Sequence, residues 1–414
     1  MNSVKLTDFV DTLKLNKKDI EIRKKEFDKF INSGFPSKNL EDWKFIDLNK
    51  TISAKIPNLK FLNKEVNIYS DQKNSLKNIP FEVDNYNYIL SVNGFIKEIN
   101  LNHENNNKIQ IIREIKNLTT DLNKSLLSLN NALYYDYIKI IVKENYSFNQ
   151  PLIFINSFTN NIQSTNINLK FDIQMEKNSS LSLFNLNSDY STNNFINMSN
   201  HFKLGENAIL KNYKLNLNNN SNLYYSHEDI ELYKNSISEN CLISGGSDFV
   251  KNDIICNLKE EFSSAFVNGI LQLNGNQQHE IRSTINHLSE NTKSYQLIKS
   301  SLMEKSKAVY QGKIFVDSKA QKTDGYQLSK GILLNDGTEF NAKPELEIYA
   351  DDVKCSHGSS SGNLDENKIF YLMTRGLSKD EAKKILLDGF YMEVIEKITD
   401  IKIKKIIKKL MNIK

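Results

Sequence analysis

Two stretches decide the fold: SSAFVNGILQL, Ser263 to Leu273, and SKAVYQGKIFV, Ser306 to Val316. Both read Ser-x-Ala-apolar-apolar-amide-Gly-x-apolar-x-apolar, with Ser263 matching Ser306, Ala265 matching Ala308, Gly269 matching Gly312 and Leu273 matching Val316, 43 positions apart. A looser pair lies upstream, where LKFDIQMEKNSSLSLFNLN resembles HFKLGENAILKNYKLNLN. Alternating apolar residues mark strands, and a repeated strand–turn–strand unit suits a solenoid whose coils bury an inward face against their neighbours. With a coil of roughly 20 to 25 residues the offset would be two coils. A β-sandwich with unequal loops is the alternative that periodicity leaves open.

Outward from the repeat, the two-residue period holds from about residue 75 to 355, in segments such as NINLKFDIQME, GILQLNG, GKIFVDS and ELEIYA. No helical pattern comes between them, which disfavours alternating βαβ units. Before this region the chain reads as helical. Leu6, Phe9, Val10 and Leu13 share one helical face, Ile22, Phe27, Phe30 and Ile31 continue the pattern, and Gly34 with Pro36 stops it. Trp43, the only tryptophan, reads as a packing anchor. After Gly362 the helical period returns. Asp365 caps ENKIFYLMTR, with Ile369, Phe370, Leu372 and Met373 as an apolar face, and Gly376 ends it. Ser378 to Glu381 form a capping box for a helix with Ile385, Leu386, Phe390, Val394 and Ile398 as its buried stripe. The expected organisation is an N-terminal helical region over 1–74, a mainly β core over 75–358 and a C-terminal helical domain over 359–414. The closing IKIKKIIKKLMNIK is basic and amphipathic; an ordinary terminal helix and a membrane- or RNA-facing one share that pattern.

Composition excludes several classes. Lys+Arg 54 against Asp+Glu 50 is too balanced to indicate nucleic acid. Asparagine abounds, as in HENNNK and NLNNNSN, which fits amide ladders, disorder or an AT-rich genome, and the genome is the reading preferred here. Against disorder stand 22 Phe and 18 Tyr. Cys241, Cys256 and Cys355 are too few and scattered for a disulfide framework, and no C-x-x-C pair is present. No window resembles a membrane span, and MNSVKLTDFVDTLK lacks the apolar block of a signal peptide. A cytoplasmic protein is expected; a plastid chain stripped of its leader would read the same. A phosphate loop and a G-x-G-x-x-G turn are both missing. For a solenoid carbohydrate-active enzyme the candidate acidic pairs are Asp351–Asp352 and Glu228–Asp229.

One stretch concentrates metal-binding chemistry: DDVKCSHGSSSG, Asp351 to Gly362. In an extended chain Val353, Cys355 and His357 share a face. Cys355 could be a small buried residue with His357 at the strand end. Alternatively, a thiol and an imidazole stand together where the backbone opens at Gly358. Two ligands cannot enclose a metal, so the second reading requires others from a partner.

The segment KPELEIYADDVKCSHGSSSGNLDENKIFYLMTRGLSKDEAKKILLDGF, Lys343 to Phe390, resembles the C-terminal signature of the SUF-system SufB/SufD family of iron–sulfur cluster assembly subunits. The residues that carry the likeness are Lys343, Pro344, Leu346, Glu347, Ile348, Ala350 to Val353, Cys355 to Gly358, Gly362, Phe370 to Leu372, Arg375, Gly376, Gly389 and Phe390. GFPSKNLEDWKFIDL, Gly34 to Leu48, resembles the family's N-terminal segment, and KAQKTDGYQLSKGILL fits the approach to the C-terminal one. Cys-Ser-His-Gly at Cys355 to Gly358, and Ser329 about where the B branch has a cysteine, make the chain most like the SufD branch. Ser359-Ser360 depart from that branch's Ala-Thr without removing a ligand.

The resemblance implies a right-handed parallel β-helix flanked by N- and C-terminal helices. It also implies a non-catalytic scaffold subunit, paired through the β-helix with a SufB-type paralogue and through the C-terminal helices with a SufC-type ABC ATPase. His357, with Cys355 beside it, would help hold a transient iron–sulfur cluster at the paralogue interface, and the isolated chain would bind none tightly. Phe370, Tyr371, Arg375, Leu386 and Phe390 would face the ATPase. Neither nucleic acid nor membrane is an expected partner, and the isolated chain is allowed a homodimer. The rival readings are the cluster-carrying SufB-type paralogue and, in another class, a solitary β-helix carbohydrate-active enzyme.

Overall fold

The computed structural model describes residues 16–61, 76, 79, 81–113, 124–159, 162–189, 191–218 and 220–413. The helical face expected at Leu6 to Leu13 and the domain boundary expected near 74 lie outside them.

The strands among the described residues fall into two stacked sheets, which the chain visits alternately from β4 onward. One sheet runs β2 (Phe95–Asn100), β1 (Asn87–Val92), β5 (Leu152–Phe158), β7 (Ser180–Asp189), β9 (Ile209–Asn216), β11 (Ile237–Ser244), β13 (Ser264–Leu273), β15 (Lys293–Leu302), β17 (Asp324–Leu333) and β19 (Lys354–Gly362). The other runs β3 (Ile109–Ile112), β4 (Tyr137–Val142), β6 (Asn166–Met175), β8 (Phe195–Leu204), β10 (Asn220–Leu232), β12 (Ser247–Leu258), β14 (Gln278–His287), β16 (Lys307–Val316) and β18 (Glu339–Ile348). Pairing is parallel except for β1–β2 and β3–β4 at the start. The molecule is a parallel β-solenoid of about 8 turns with helices at the N- and C-terminal parts of the chain; the sandwich alternative is excluded.

The repeat that announced the solenoid has a different meaning from the one expected. Ser264 lies beside Lys293, and Gln278 beside Lys307, so a coil here takes 29 residues, not 20 to 25. The 43-residue offset is three half-coils, and the two copies sit on opposite sheets, before β13 and before β16. Each coil is two strands joined by two tight turns, so the true unit is one strand plus one turn. The repeated serine closes that turn: the Ser263 hydroxyl donates to Glu260 O at 2.7 Å and Ser306 to Met303 O at 2.8 Å. The repeated alanines point inward, both 0% exposed. Gly269 sits where the sheets approach closely, and a Cβ there would lie 2.6 Å from Ile281 Cδ1 and 2.9 Å from Ile298 Cδ1.

Asparagine is structural, whatever its genomic origin. Asn178, Asn207 and Asn235 occupy the left-handed position of three successive turns and Asn291 that of a later one, with φ of 55° to 59°. Asn207 Nδ2 donates to Asn178 Oδ1 and Asn178 Nδ2 to Asn145 Oδ1, each at 2.8 Å, forming an amide ladder along the edge. Inside the solenoid, Asn212 donates to Asn240 at 3.2 Å and to Glu228 at 2.9 Å.

Helices cover both outer faces. Against the nine-stranded sheet lie α1 (Lys17–Ser33), α2 (Leu48–Lys55) and α3 (Ser125–Leu133), whose Phe27, Phe30, Ile52, Leu126 and Leu129 pack with Phe195, Leu223, Tyr225 and Phe249. Gly34 ends α1 at φ 68°, but Ile31 is 48% exposed, so the buried face is Arg23, Phe27 and Phe30. Helix α3 falls inside the region expected to be free of helices. Its sequence SLLSLNNAL is buried on every side, so it shows no amphipathic period. Trp43 packs as expected, 5.6 Å from the Tyr225 ring, with Lys251 Nζ 4.6 Å from its own. At the other end, α4 (Glu366–Thr374), α5 (Lys379–Ile395) and α6 (Ile401–Leu410) follow β19. Tyr391, Val394, Ile395 and Ile398 join Ile403, Ile406 and Ile407 against Tyr213, Leu215, Cys241 and Leu297 of the ten-stranded sheet. The basic α6 therefore spends its apolar face on the solenoid.

Candidate functional site at the open end

The solenoid ends on β18 and β19, each paired on one side only. Edge strands present unpaired N–H and C=O groups. Residues of β19 are mostly exposed, and those of β18 are largely half-buried. The strand runs through Lys354 to Gly362, so the backbone does not open at Gly358, and His357 lies in mid-strand, not at a strand end.

Cys355 and His357 both stand on β19 with the parity of the inward face, but their surroundings differ. The thiol packs with Ile314, Val316, Ala320 and Ala350 at the end of the core. A Cβ on its register neighbour Gly325 would lie 3.3 Å from Sγ. Burial raises the Cys355 thiol above its ordinary pKa, so it is protonated near neutral pH. His357 is exposed and lies in register with Gln327 of β17, which in turn pairs with Gln296 of β15. Beneath the imidazole is therefore a polar column that the sequence reading missed. Tyr310 OH lies 3.2 Å from Gln296 Oε1 and 3.3 Å from Gln327 Oε1, and Gln327 Nε2 donates to Glu345 O at 3.3 Å. Gln296, Gln327 and His357 recur one coil apart, a signal invisible under the wrong coil length. Ser329 donates to Ser359 at 3.0 Å. Among the described residues no group of three or more His, Cys, Asp or Glu is arranged to hold a metal ion.

The other candidates separate cleanly. Cys241 and Cys256 are 3% and 0% exposed, and burial pushes both thiols up, Cys241 to about 12. Glu228 points into the solenoid, where Lys214 pairs with it at 2.7 Å, while Asp229 faces outward and accepts from Asn257 at 2.8 Å. That acidic pair cannot converge on one substrate.

At the C-terminal helices the capping expectations hold. Asp365 accepts from Asn367 N at 3.0 Å, Ser378 and Glu381 form the capping box, and Gly376 has φ 95°. The apolar stripes match those expected only in part: Val394 and Ile398 are buried as expected. Of the first helix only Ile369 is buried, and Phe370, Tyr371 and Met373 are 67%, 56% and 41% exposed. Ile385 is 47% exposed and Leu386 half-buried. Phe390 is also half-buried, but its ring carries Lys299 Nζ at 4.4 Å and belongs to the helix–sheet seam. Arg375 sits over Tyr371, 5.2 Å from the ring centroid. Of the five residues expected to face a partner, Phe370, Tyr371 and Arg375 form an exposed patch on α4 and its C-cap, and Phe390 does not join it.

Residues 157–390, more than half of the chain, match the family model described as the SUF system FeS cluster assembly, SufBD core domain. The chain belongs to this family. Within it, this SufBD chain is similar to the iron-sulfur cluster assembly protein SufD of Escherichia coli, 32% identical over 47% of this chain and 46% of that protein. It is also similar to a SufBD family protein of Synechocystis, 30% identical over 49% and 45%. With the chloroplastic protein ABCI7 of Arabidopsis thaliana it shares 43% identity over 22% of this chain and 19% of that one. The matches span about half the length of the first two relatives. Within the family the chain is most like SufD. No helix among the described residues is long and apolar enough to cross a membrane.

Proposed function

We propose that this chain is the SufD-type scaffold subunit of an iron–sulfur cluster assembly complex, acting in an aqueous compartment, cytoplasmic or plastid. Its open end would pair with a SufB-type paralogue, and its C-terminal helices would hold a SufC-type ABC ATPase that carries out the nucleotide hydrolysis. The observation that carries this reading is the end of the solenoid. Two one-sided edge strands present His357 to solvent over a packed polar column, with no second ligand set from the described residues beside it. A lone exposed imidazole on a rigid post is suited to completing a site whose other ligands come from across an interface, where the cluster is cargo in transit. Cys355, half-buried and protonated, would be a supporting residue unless the metal draws its proton off. The SufB-type rival is disfavoured because Cys241 and Cys256 are sealed in the core.

The test is co-expression with the SufB- and SufC-type proteins of the native host. All three should co-purify. His357→Ala should leave that assembly intact while lowering the iron and sulfide recovered after reconstitution. Unchanged iron in an intact mutant complex removes His357 from the ligand set, and failure of the parent chain to co-purify overturns the scaffold assignment.

A further inference from the structure

Away from the open end, on the outer face of the ten-stranded sheet, a cavity of about 430 Å³ lies between β11–β17 and the segment Lys397–Thr399 that joins α5 to α6. Its wall is an aromatic ladder: Phe266, Tyr295 and Tyr326 are register neighbours on β13, β15 and β17. The Tyr295 and Tyr326 rings stack at 5.2 Å with 25° between planes. Lys397 leans over this wall, its ammonium 5.3 Å from the Tyr295 centroid. Asn268 also lines the cavity, only 5% exposed, and its Oδ1 finds no hydrogen-bond partner in the protein. A buried acceptor left unpaired costs about 1–3 kcal/mol, which a donor on a bound ligand would recover. Lys293 and Asp324, adjacent across β15 and β17, form no salt bridge with any described residue.

We propose that this cavity is a mononucleotide-binding site. The base packs on the aromatic ladder, and a base N–H donates to Asn268 Oδ1. The ribose hydroxyls donate to Asp324, and the phosphate meets Lys293 and Lys397. A cavity of this size suits a ligand of that class. Glu239 also lines the cavity, its carboxylate held by the Thr399 hydroxyl at 2.5 Å. An inorganic anion alone would leave the aromatic wall and Asn268 unmatched, and a bare nucleoside would make no use of Lys293 and Lys397. The site is on the flank of the solenoid and stands independently of the scaffold reading.

The experiment is isothermal titration of the purified chain with AMP, adenosine and inorganic phosphate. AMP should bind with a Kd below about 1 mM and adenosine about tenfold more weakly, a difference of about 1.4 kcal/mol. Tyr326→Ala and Asn268→Leu should each weaken AMP at least about fivefold with the circular dichroism spectrum unchanged, and Lys293→Ala, at an exposed position, should abolish the preference for AMP over adenosine. No AMP binding at about 10 mM, equal affinity for adenosine and AMP in the parent chain, or unchanged affinity in the Tyr326 and Asn268 variants overturns the proposal.

Discussion

Gly269→Ala tests the claim that the solenoid is held by close contact between its two sheets. The new methyl would lie 2.6 Å from Ile281 Cδ1 and 2.9 Å from Ile298 Cδ1, against an ordinary carbon–carbon separation of about 3.5–4.0 Å. Both isoleucines are 0% exposed, so neither can swing into solvent. Overpacking of this kind costs about 1–3 kcal/mol. Alanine in place of glycine returns about 0.4–1 kcal/mol through the unfolded chain. The net loss should be about 1–2 kcal/mol. Ile281→Val removes the methyl that collides and by itself should cost about 1 kcal/mol. The two changes together should cost less than their sum, with a coupling of at least about 1 kcal/mol. Urea unfolding, followed by circular dichroism and by the fluorescence of Trp43, measures all four corners of the cycle. Strict additivity, or a Gly269→Ala protein as stable as its parent, would refute the close-packing argument.

Three further outcomes follow from particular contacts. His279 and His287 are buried neutral with pKa values of about 4 against an ordinary 6.5. The folded state therefore binds fewer protons than the unfolded one, so this stability is whole above pH 6.5 and is lost as pH falls toward 4. At pH 5 each should have given up about 2 kcal/mol, and melts from pH 7.5 to 5 should lose that slope in the His279→Gln/His287→Gln double variant. Lys251→Met leaves Glu280 buried without its ion-pair partner and should cost about 3–5 kcal/mol, largely restored by adding Glu280→Gln and read in the same urea assay. Phe370→Asp, at a position 67% exposed, should leave the melting temperature unchanged yet weaken capture of the ATPase at least about tenfold in a pull-down titration; unaltered capture places that interface elsewhere.

The repeat at Ser263 and Ser306 was enough to announce stacked strands, and the capping residues Asp365, Ser378 and Gly376 marked helix ends correctly, because both signals are local. Packing was less legible. Ile31 and Ile385 have the right spacing for a buried face yet lie outside it, since spacing gives a stripe but not the direction from which the sheet approaches. Helix α3 left no period because it is covered all round. Phe390 looks like its exposed neighbour Phe370 in the sequence, and only the position of Lys299 assigns it to the seam.

The amino-acid sequence by itself determined the class of structure, the family, and Cys355 and His357 as the residues of interest, because alternation, turn chemistry and a short dense signature are written along the chain. Coil length, and with it everything that stands one coil apart, was decided only by the tertiary structure. Gln296, Gln327 and His357 are separated by about thirty residues and become a column only when parallel strands set their register. Whether a thiol is sealed or offered is settled in the same way. Cys241, Cys256 and Cys355 are chemically identical in the sequence, and their reactivity differs because burial, a property of the assembled coils, sets how far each is removed from water.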